Sequence, residues 1–329
     1  MSAAETERRT RDKLVREFGP LVMEALEDPA VTEICLNDDG KLWIERVGQG
    51  MTRAGSMDAT RAEMALTTVA SVLHRELTRR SPSVEGELPL EGNPRIAGSI
   101  PPKTLAPQWT IRKPALQVFS LADYARQGAL EEPQRAYLAS AVRARRSIVI
   151  AGNTGSGKTT FANALIREMS VGCPGERVLI LEDTREIQCQ SANVVRFRTS
   201  ESETMQDLVK SALRHRPDRI IVGEVRDGAA LALLEAWNTG HEGGIATIHA
   251  RDTSAAGSLL RLEYLCQKAQ LGDHAALIGE AVDLIVTMER RADGVRRVST
   301  ITEVQYDRDS RRFITHPFHA HNLTVIKGA

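Results

Sequence analysis

The sequence predicts an α/β protein of two domains, in which a small α+β domain precedes a larger domain built on a mostly parallel sheet. The chain has 329 residues, a length more typical of two domains than of one. Helical and strand patterns alternate over the last two thirds, which favours a parallel sheet with helices on both faces. A buried strand, a glycine-rich loop and a helix follow one another near residue 150.

The composition narrows the functional classes. Lys and Arg total 43, as do Asp and Glu, so the net charge is zero, whereas proteins that grip long nucleic acids usually carry a basic excess. The four cysteines are scattered without a C-x-x-C pair, which favours reduced thiols over a disulfide or zinc framework. The charged N-terminus and the lack of a long apolar stretch predict a soluble, cytoplasmic protein.

Residues 1–116 are predicted to form the α+β domain. Two segments have apolar residues at helical spacing, and short strand-like segments are separated by turn residues. A passage rich in proline and glycine covers 81–92. The predicted elements are helices over 5–27 and 60–79 and strands over 32–36, 41–46, 95–100 and 108–112.

Residues 117–132 have mixed polarity and precede Pro133 at a predicted helix start, so we expect a linker there and the second domain over 133–329. In a parallel sheet, ligands bind at the carboxyl ends of the strands. The predicted elements are helices over 135–146, 205–214 and 229–238 and strands over 148–150, 177–181, 219–222 and 244–248.

The segment after the strand 148–150 is a phosphate-binding loop with the pattern G-x-x-x-x-G-K-T. Its glycines let backbone N–H groups surround a phosphate chain at a helix N-terminus. Lys158 would reach the β- and γ-phosphates, and the Thr159 hydroxyl would be a Mg²⁺ ligand. The protein is therefore predicted to bind ATP or GTP. The predicted binding residues are Gly152, Asn153, Thr154, Gly155, Ser156, Gly157, Lys158, Thr159 and Thr160.

Hydrolysis also needs acidic groups, and two follow predicted strands at the same edge of the sheet. Glu182 follows 178–181, and Glu224 follows 220–223 in the position of a Walker B carboxylate. Each has an alternative interpretation, because Glu182 could cap a helix or pair with Arg185, and Glu224 could be a surface carboxylate beside Arg226.

A third strand ends in Thr247-Ile248-His249. Threonine and histidine at this edge could form hydrogen bonds to a γ-phosphate and report its loss. A single histidine is more often structural, but its position after a third parallel strand favours a functional role.

Four segments together resemble the secretion "traffic" ATPases, the hexameric motors of type II and type IV secretion, type IV pili and conjugation. They are 152–159, 181–186, 221–226 and 243–250, and they occur in the order and spacing of that family. The resemblance covers nearly the whole chain, although nothing is recognised beyond about residue 304.

The N-terminal third resembles the conjugation branch of this family. The matching segments are 33–37, 95–102 and 110–114. The chain also lacks the tetracysteine metal site or the extra N-terminal domain of pilus-type and type II members, which favours the same compact branch.

The resemblance implies roles for individual residues in a RecA-like ATPase domain. Glu182 would be the general base, Glu224 would hold Mg²⁺ through water, and His249 would lie near the γ-phosphate. Arg95 and Arg112 match arginines that the family brings from the N-terminal domain onto a nucleotide held between the two domains. The alternative for either arginine is an ion pair that serves only the fold.

The resemblance also implies a Mg²⁺-dependent motor that hydrolyses ATP in a homo-hexameric ring, peripherally bound at the cytoplasmic face of the inner membrane. Its partners would be other components of a conjugation or type IV secretion apparatus. Domain motion would drive pilus assembly or passage of a DNA–protein substrate, without sequence-specific binding of nucleic acid. The resemblance implies that the bound nucleotide carries adenine and not guanine, and the sequence contains no Asn-Lys-x-Asp motif for reading guanine.

Two other classes stay open at the level of sequence. One is a RecA-like helicase or translocase acting directly on DNA, for which there are basic clusters at 143–146, 290–291 and 296–297. Zero net charge and few aromatic residues count against it. The other is a nucleotide-dependent switch with negligible hydrolysis, which the presence of both acidic groups disfavours.

Overall fold

The computed structural model describes residues 3–47, 49–114, 118–200, 202–291 and 294–318. The chain divides into two compact units, Met1–Leu116 and Gln117–Ala329. Each unit has its own sheet and its own hydrophobic core. In the part of the chain that the structure describes, no helix is long and apolar enough to cross a membrane.

The first unit is an antiparallel sheet whose inner face is covered by two helices. The described strands lie in the order β3-β2-β1-β6-β5-β4, and every neighbouring pair is antiparallel. Alternate residues such as Ile34, Ile96 and Ile111 point into the core, as expected for a sheet with one covered face. In chain order the elements are α1 (Ala3–Glu27), β1 (Val31–Leu36), β2 (Lys41–Arg46), β3 (Met51–Ser56), α2 (Ala59–Val72), β4 (Ser83–Glu87), β5 (Arg95–Ser99) and β6 (Gln108–Arg112).

The helices of this unit differ from the sequence prediction in two places. Gly19 interrupts α1 with a φ of 78°, and the Arg61 guanidinium donates there to the carbonyls of Arg16 and Glu17. The helix predicted over 60–79 ends at Val72, because His74 takes a left-handed conformation with a φ of 53°. Strand β4 then forms within the passage rich in proline and glycine, where no strand was predicted.

The second unit contains the larger sheet. Its described strands lie in the order β14-β13-β12-β7-β11-β10-β8-β9. The strands from β12 to β9 in that order are parallel, and β13 and β14 extend the sheet as antiparallel strands. In chain order the elements are α3 (Leu121–Arg126), α4 (Glu132–Arg143), β7 (Ile148–Gly152), α5 (Lys158–Gly172), β8 (Val178–Glu182), β9 (Val194–Arg198), α6 (Met205–Ala212), β10 (Arg219–Val225), α7 (Ala229–Asn238), β11 (Ile245–His249), α8 (Ala255–Gln267), α9 (Ala275–Ala281), β12 (Leu284–Arg290), β13 (Arg296–Asp307) and β14 (Arg312–Pro317).

Helices cover both faces of this sheet. Helices α3, α4 and α5 pack on one face, and α6 to α9 pack on the other. The central strands are therefore buried on both sides and read as continuous apolar runs, as in 148–150 and 220–222. The predicted α/β class with a mostly parallel sheet is confirmed.

Part of the segment expected to be a linker belongs to the second unit instead. Within 117–132, residues Leu121–Arg126 form α3, which begins with a capping box between Ser120 and Asp123. Leu121 and Tyr124 are buried, and the Tyr124 ring meets the Phe161 ring edge-on at 5.1 Å. Two apolar residues on a helix this short give too little periodicity to be recognised in the sequence. Gln117 lies outside the described residues.

Candidate nucleotide site

The predicted phosphate loop joins β7 to α5. Gly155 and Gly157 adopt φ values of 73° and 90°, in the left-handed region that favours glycine. Gly152 is required for a different reason, since a Cβ there would lie 2.6 Å from both the Met288 carbonyl oxygen and Ser156 Oγ. Helix α5 begins at Lys158, directly after the loop. Its first N–H groups therefore point toward the loop, which is the arrangement that binds a phosphate.

The Lys158 side chain lies folded into this loop. It is buried, and its Nζ donates to the carbonyl oxygens of Gly152 and Asn153, each at 3.0 Å. Its third contact within this site is with His249 Nδ1 at 3.3 Å. The ammonium is therefore fixed at the mouth of the loop, where it meets the end of the neighbouring strand.

The register of the sheet explains this contact. Strand β11 pairs with β7 in parallel, and His249 lies opposite Gly152. The carboxyl ends of the two strands thus place the histidine directly beside the loop, as predicted from the position of His249 at the end of a parallel strand.

Glu224 completes a hydrogen-bonded chain with these two residues. Its Oε1 accepts from His249 Nε2 at 3.0 Å, so the imidazole lies between a cation and an anion. Burial, and next the nearby Lys158 ammonium, lower the pKa of His249 below its ordinary value. A neutral imidazole that donates from Nε2 and accepts at Nδ1 satisfies both contacts.

A β-bulge directs Glu224 toward the histidine. The pairing of β10 with β11 shifts between Val222 and Val225, so β10 carries an extra residue there. The Thr247 hydroxyl donates to the Gly223 carbonyl within the bulge at 2.7 Å. Thr247 is buried, which differs from the expectation that its hydroxyl would meet a phosphate. Its hydroxyl stabilises the strand instead.

The pair of Glu224 with Arg226, considered as an alternative from the sequence, is also present. Arg226 Nη2 donates to Glu224 Oε2 at 2.6 Å, and Nη1 lies 3.6 Å from Asp183 Oδ2. Glu224 therefore has a partner on each oxygen. The ion pair and the contact with His249 coexist, so the two interpretations of this carboxylate do not exclude each other.

Glu182 ends β8 and is almost fully buried. Its Oε1 accepts from the backbone N–H groups of Glu186 and Ile187 at 2.8 and 2.6 Å, which holds the loop after β8 in place. Burial raises the pKa of the carboxyl above its ordinary value despite these hydrogen bonds. Gly223 lies alongside, since a Cβ there would be 3.2 Å from Glu182 Cγ.

Thr159 and Thr160 lie in the first turn of α5 and are half-buried. Within the described residues, the Thr159 hydroxyl makes no hydrogen bond to the protein, and it is therefore open to a ligand. Hydroxyl and carboxylate oxygens are the donors that Mg²⁺ prefers. Thr159 and Glu224 thus have the chemistry expected for this ion, although both Glu224 oxygens already have protein partners.

Arg95 and Arg112 belong to the first unit, and sequence reasoning did not show how they relate to each other. They are directly opposite across the β5–β6 pair, on the face away from the core. Arg95 lies 3.6 Å from Glu85, and Arg112 lies 3.8 Å from Glu33. Both contacts are long, and both arginines are at least a third exposed.

Two further basic residues that the sequence analysis missed lie beside the loop. A cleft of about 450 Å³ opens next to it, within the size range of small-molecule sites. Arg251 follows β11 and Arg261 lies on α8. No sequence motif distinguishes them from ordinary surface arginines. The cleft is lined by Asn153, Thr154, His249, Ala250, Arg251 and Arg261.

The comparisons with known proteins identify the family of the chain. A family model described as type II/IV secretion system protein matches residues 17–315. The chain is 49% identical over 293 residues to the probable conjugal transfer protein TrbB of Sinorhizobium fredii, with 89% of each chain covered. It is 45% identical over 315 residues to the conjugal transfer protein TrbB of Rhizobium radiobacter, which covers 94% of this chain and 96% of that protein. The resemblance to the conjugation branch is confirmed.

A solved structure extends the comparison of folds. The ATPase DotB of Legionella pneumophila matches 88% of this chain and 80% of its own, with a TM-score of 0.63. Its sequence identity of 21% shows a shared fold.

Proposed function

Because the chain belongs to the family of type II/IV secretion system proteins, we propose that it is the ATP-hydrolysing motor of a conjugative transfer or type IV secretion system. It is an ATPase, as its family implies, and the left-handed glycines before the N-terminus of α5 support nucleotide binding at the predicted phosphate loop. The observation that carries the proposal is the hydrogen-bonded chain from Lys158 through His249 to Glu224 beside the loop. The two relatives named as conjugal transfer proteins support the cellular role.

Glu182 is proposed as the general base. A buried carboxylate with a raised pKa accepts a proton more readily than one exposed to water. Its Oε1 is held by two backbone N–H groups, so its orientation is fixed before substrate arrives. The remaining oxygen would take the proton of the attacking water.

Lys158 and His249 are proposed to act on the terminal phosphates. The ammonium of Lys158 would exchange its loop carbonyl partners for phosphate oxygens, which are stronger acceptors. His249 contacts this ammonium and also Glu224. A movement of Lys158 would therefore change the hydrogen bonds of both residues. The gain or loss of a γ-phosphate would thereby be reported along β11.

Thr159 and Glu224 are the residues proposed to hold Mg²⁺. The ion would supply charge neutralisation on the phosphates when bound. Glu224 would act through water rather than directly, because His249 and Arg226 already contact its two oxygens.

Arg95 and Arg112 are proposed to approach the nucleotide in the working assembly and to stabilise charge in the transition state. Guanidinium groups suit this role because they bind phosphate oxygens in pairs. Their long ion pairs support the proposal, since exposed pairs of this kind are exchanged at little cost. Hydrolysis would then be coupled to movement of the first unit.

By family resemblance, we also propose that the protein works as a homo-hexameric ring, peripherally at the inner membrane, with other components of the apparatus as partners. The energy of ATP would serve pilus assembly or the passage of a DNA–protein substrate.

A motor acting directly on DNA has less support. The predicted basic clusters are partly neutralised, since Arg143 pairs with Glu168, Arg146 with Asp283, and Arg297 with Glu289. Paired guanidinium groups contribute less to phosphate binding than free ones. Strong stimulation of hydrolysis by single-stranded DNA that disappears with added salt would instead favour the direct motor.

The proposal is tested by conjugative transfer in cells that carry Lys158→Ala in place of the natural protein. We expect both transfer and ATP hydrolysis by the purified variant to be lost, because the loop no longer holds the terminal phosphates. If transfer and hydrolysis both persist, the proposed function is wrong. If hydrolysis is lost while transfer persists, the cellular role is wrong.

A further inference from the structure

Arg261 occupies an unusual position on α8. It lines the cleft beside the phosphate loop, and its Nε donates to the His249 carbonyl oxygen at 3.1 Å. Its guanidinium carbon also lies 5.4 Å from the centre of the Tyr264 ring. The hydrogen bond therefore ties this side chain to the end of β11, and the cation–π contact holds it against its own helix.

The rest of the guanidinium is unused within the described residues, where its terminal nitrogens have neither a hydrogen bond nor a carboxylate partner. Arg261 is half-buried, and a partly desolvated guanidinium gains from an anionic partner. Its four remaining N–H groups suit a phosphate, which offers several acceptor oxygens.

The cleft lies on the side of the loop where the terminal phosphate is expected. Lys158, which reaches the β- and γ-phosphates in such loops, contacts His249, and His249 lines the same cleft as Arg261. Asn153 and Thr154 of the predicted phosphate loop also line this cleft. An anion in this cleft would therefore lie near two guanidinium groups, that of Arg251 after β11 and that of Arg261 on α8.

We propose that Arg261 binds the terminal phosphate of ATP through its free guanidinium nitrogens and makes the site discriminate between ATP and ADP. The same guanidinium also holds the His249 carbonyl. Arg261 would therefore connect three parts of the site mechanically: the phosphate, the end of β11 and α8. This inference rests on the proposed nucleotide site and adds a phosphate ligand to it.

The test compares the affinities of Arg261→Gln, Arg261→Lys and wild type for ADP and for a non-hydrolysable ATP analogue, each with Mg²⁺. We expect Arg261→Gln to weaken the analogue about 10- to 100-fold, since a charged hydrogen bond to phosphate is lost. Its affinity for ADP should change by less than about threefold. Arg261→Lys keeps the charge but cannot hold both the carbonyl and the phosphate, so we expect a smaller loss confined to the analogue.

Lys268→Gln is the matched control. Its Nζ lies 5.3 Å from the centre of the same Tyr264 ring, and it does not line the cleft. The Lys268→Gln substitution therefore removes an equal charge from the same neighbourhood. We expect its affinities for ADP and for the ATP analogue to stay at the wild-type level.

The possible outcomes separate this inference from the proposed function. Equal weakening of the analogue and of ADP by either Arg261 variant, or no change in either affinity, would overturn the inference and indicate a role in the fold alone. Should Arg261→Gln fail to fold, the Arg261→Lys comparison decides. A wild-type protein that binds neither nucleotide would instead refute the nucleotide site itself.

Discussion

The carboxyl edge of the sheet in the second unit and the outer face of the sheet in the first unit both carry charged residues, but they hold them differently. At the edge, Lys158, His249 and Glu224 form one chain with contacts of 3.3 and 3.0 Å. On the outer face, Arg95 and Arg112 have carboxylate partners at 3.6 and 3.8 Å and are open to solvent.

The groups at the carboxyl edge are prearranged, whereas the arginines on the outer face are available to new partners. A short chain of polar groups in partly buried surroundings is strongly coupled, so each member depends on the others. Exposed ion pairs contribute little, typically up to about 1 kcal/mol. The edge is therefore organised before substrate binds, whereas the two arginines can change partners at small cost.

The largest effect is expected from Glu182→Gln. Loss of a general base should lower kcat about 10³-fold. The glutamine oxygen can accept the same two backbone N–H groups without placing a charge in a buried site, so the melting temperature should not fall. Steady-state hydrolysis and thermal unfolding measure the two effects.

Glu186→Gln serves as the control for this variant, because it removes a nearby carboxylate while leaving the Glu182 side chain in place. We expect its kcat to remain within about twofold of wild type. If Glu182→Gln retains a tenth or more of the wild-type rate, another group is the base.

A smaller effect is expected from His249→Gln, since it breaks the chain without removing the base. Loss of one coupling hydrogen bond should lower kcat by about tenfold. In the wild type, acidification should protonate the imidazole and remove the acceptor for Lys158. Activity should then fall on the acid side, and this limb of the pH profile should be absent from the variant.

The same histidine gives a prediction for stability. Its pKa is lower in the folded protein than in the unfolded chain, so the unfolded chain binds more protons as the pH falls below about 6.5. The contribution of His249 should therefore be complete above that pH and decrease as the pH drops toward the lowered pKa. Melting curves between about pH 5 and 8 should show a smaller acid loss for His249→Gln than for wild type. An unchanged acid loss would contradict the lowered pKa.

The smallest effect is expected for the stability of Arg112→Ala. Its ion pair with Glu33 is long and exposed, so the free energy of unfolding should change by less than about 0.5 kcal/mol. Urea unfolding checks this value. A loss of several times that size would show that Arg112 serves the fold.

Much of the second unit could be predicted from its sequence because local and global signals agree there. Continuous apolar runs marked β7, β8, β10 and β11, and the loop pattern located the start of α5. The positions of Glu182, Glu224 and His249 followed from the rule that parallel strands end at one edge. Their detailed contacts did not, since the bulge at Gly223 and the pairing of β11 with β7 depend on the folded sheet.

For the elements that the sequence analysis did not predict, local and global signals do not agree in this way. Strand β3 is exposed except at Gly55, and α3 is too short for a clear helical period. The end of α2 at Val72 depends on the left-handed His74, which helical periodicity does not reveal. Arg261 was missed because its function would depend on a carbonyl twelve residues away along the chain.

The role of the first unit in hydrolysis is decided by steady-state ATP turnover of Arg112→Ala beside Arg53→Ala, with the oligomeric mass of each determined in parallel. Arg53 is an exposed arginine on the edge strand β3 of the same sheet. We expect Arg112→Ala to assemble like the wild type but to turn over ATP at least about tenfold more slowly, and Arg53→Ala to be unaffected. Normal turnover by Arg112→Ala would contradict the account and leave hydrolysis to the second unit alone.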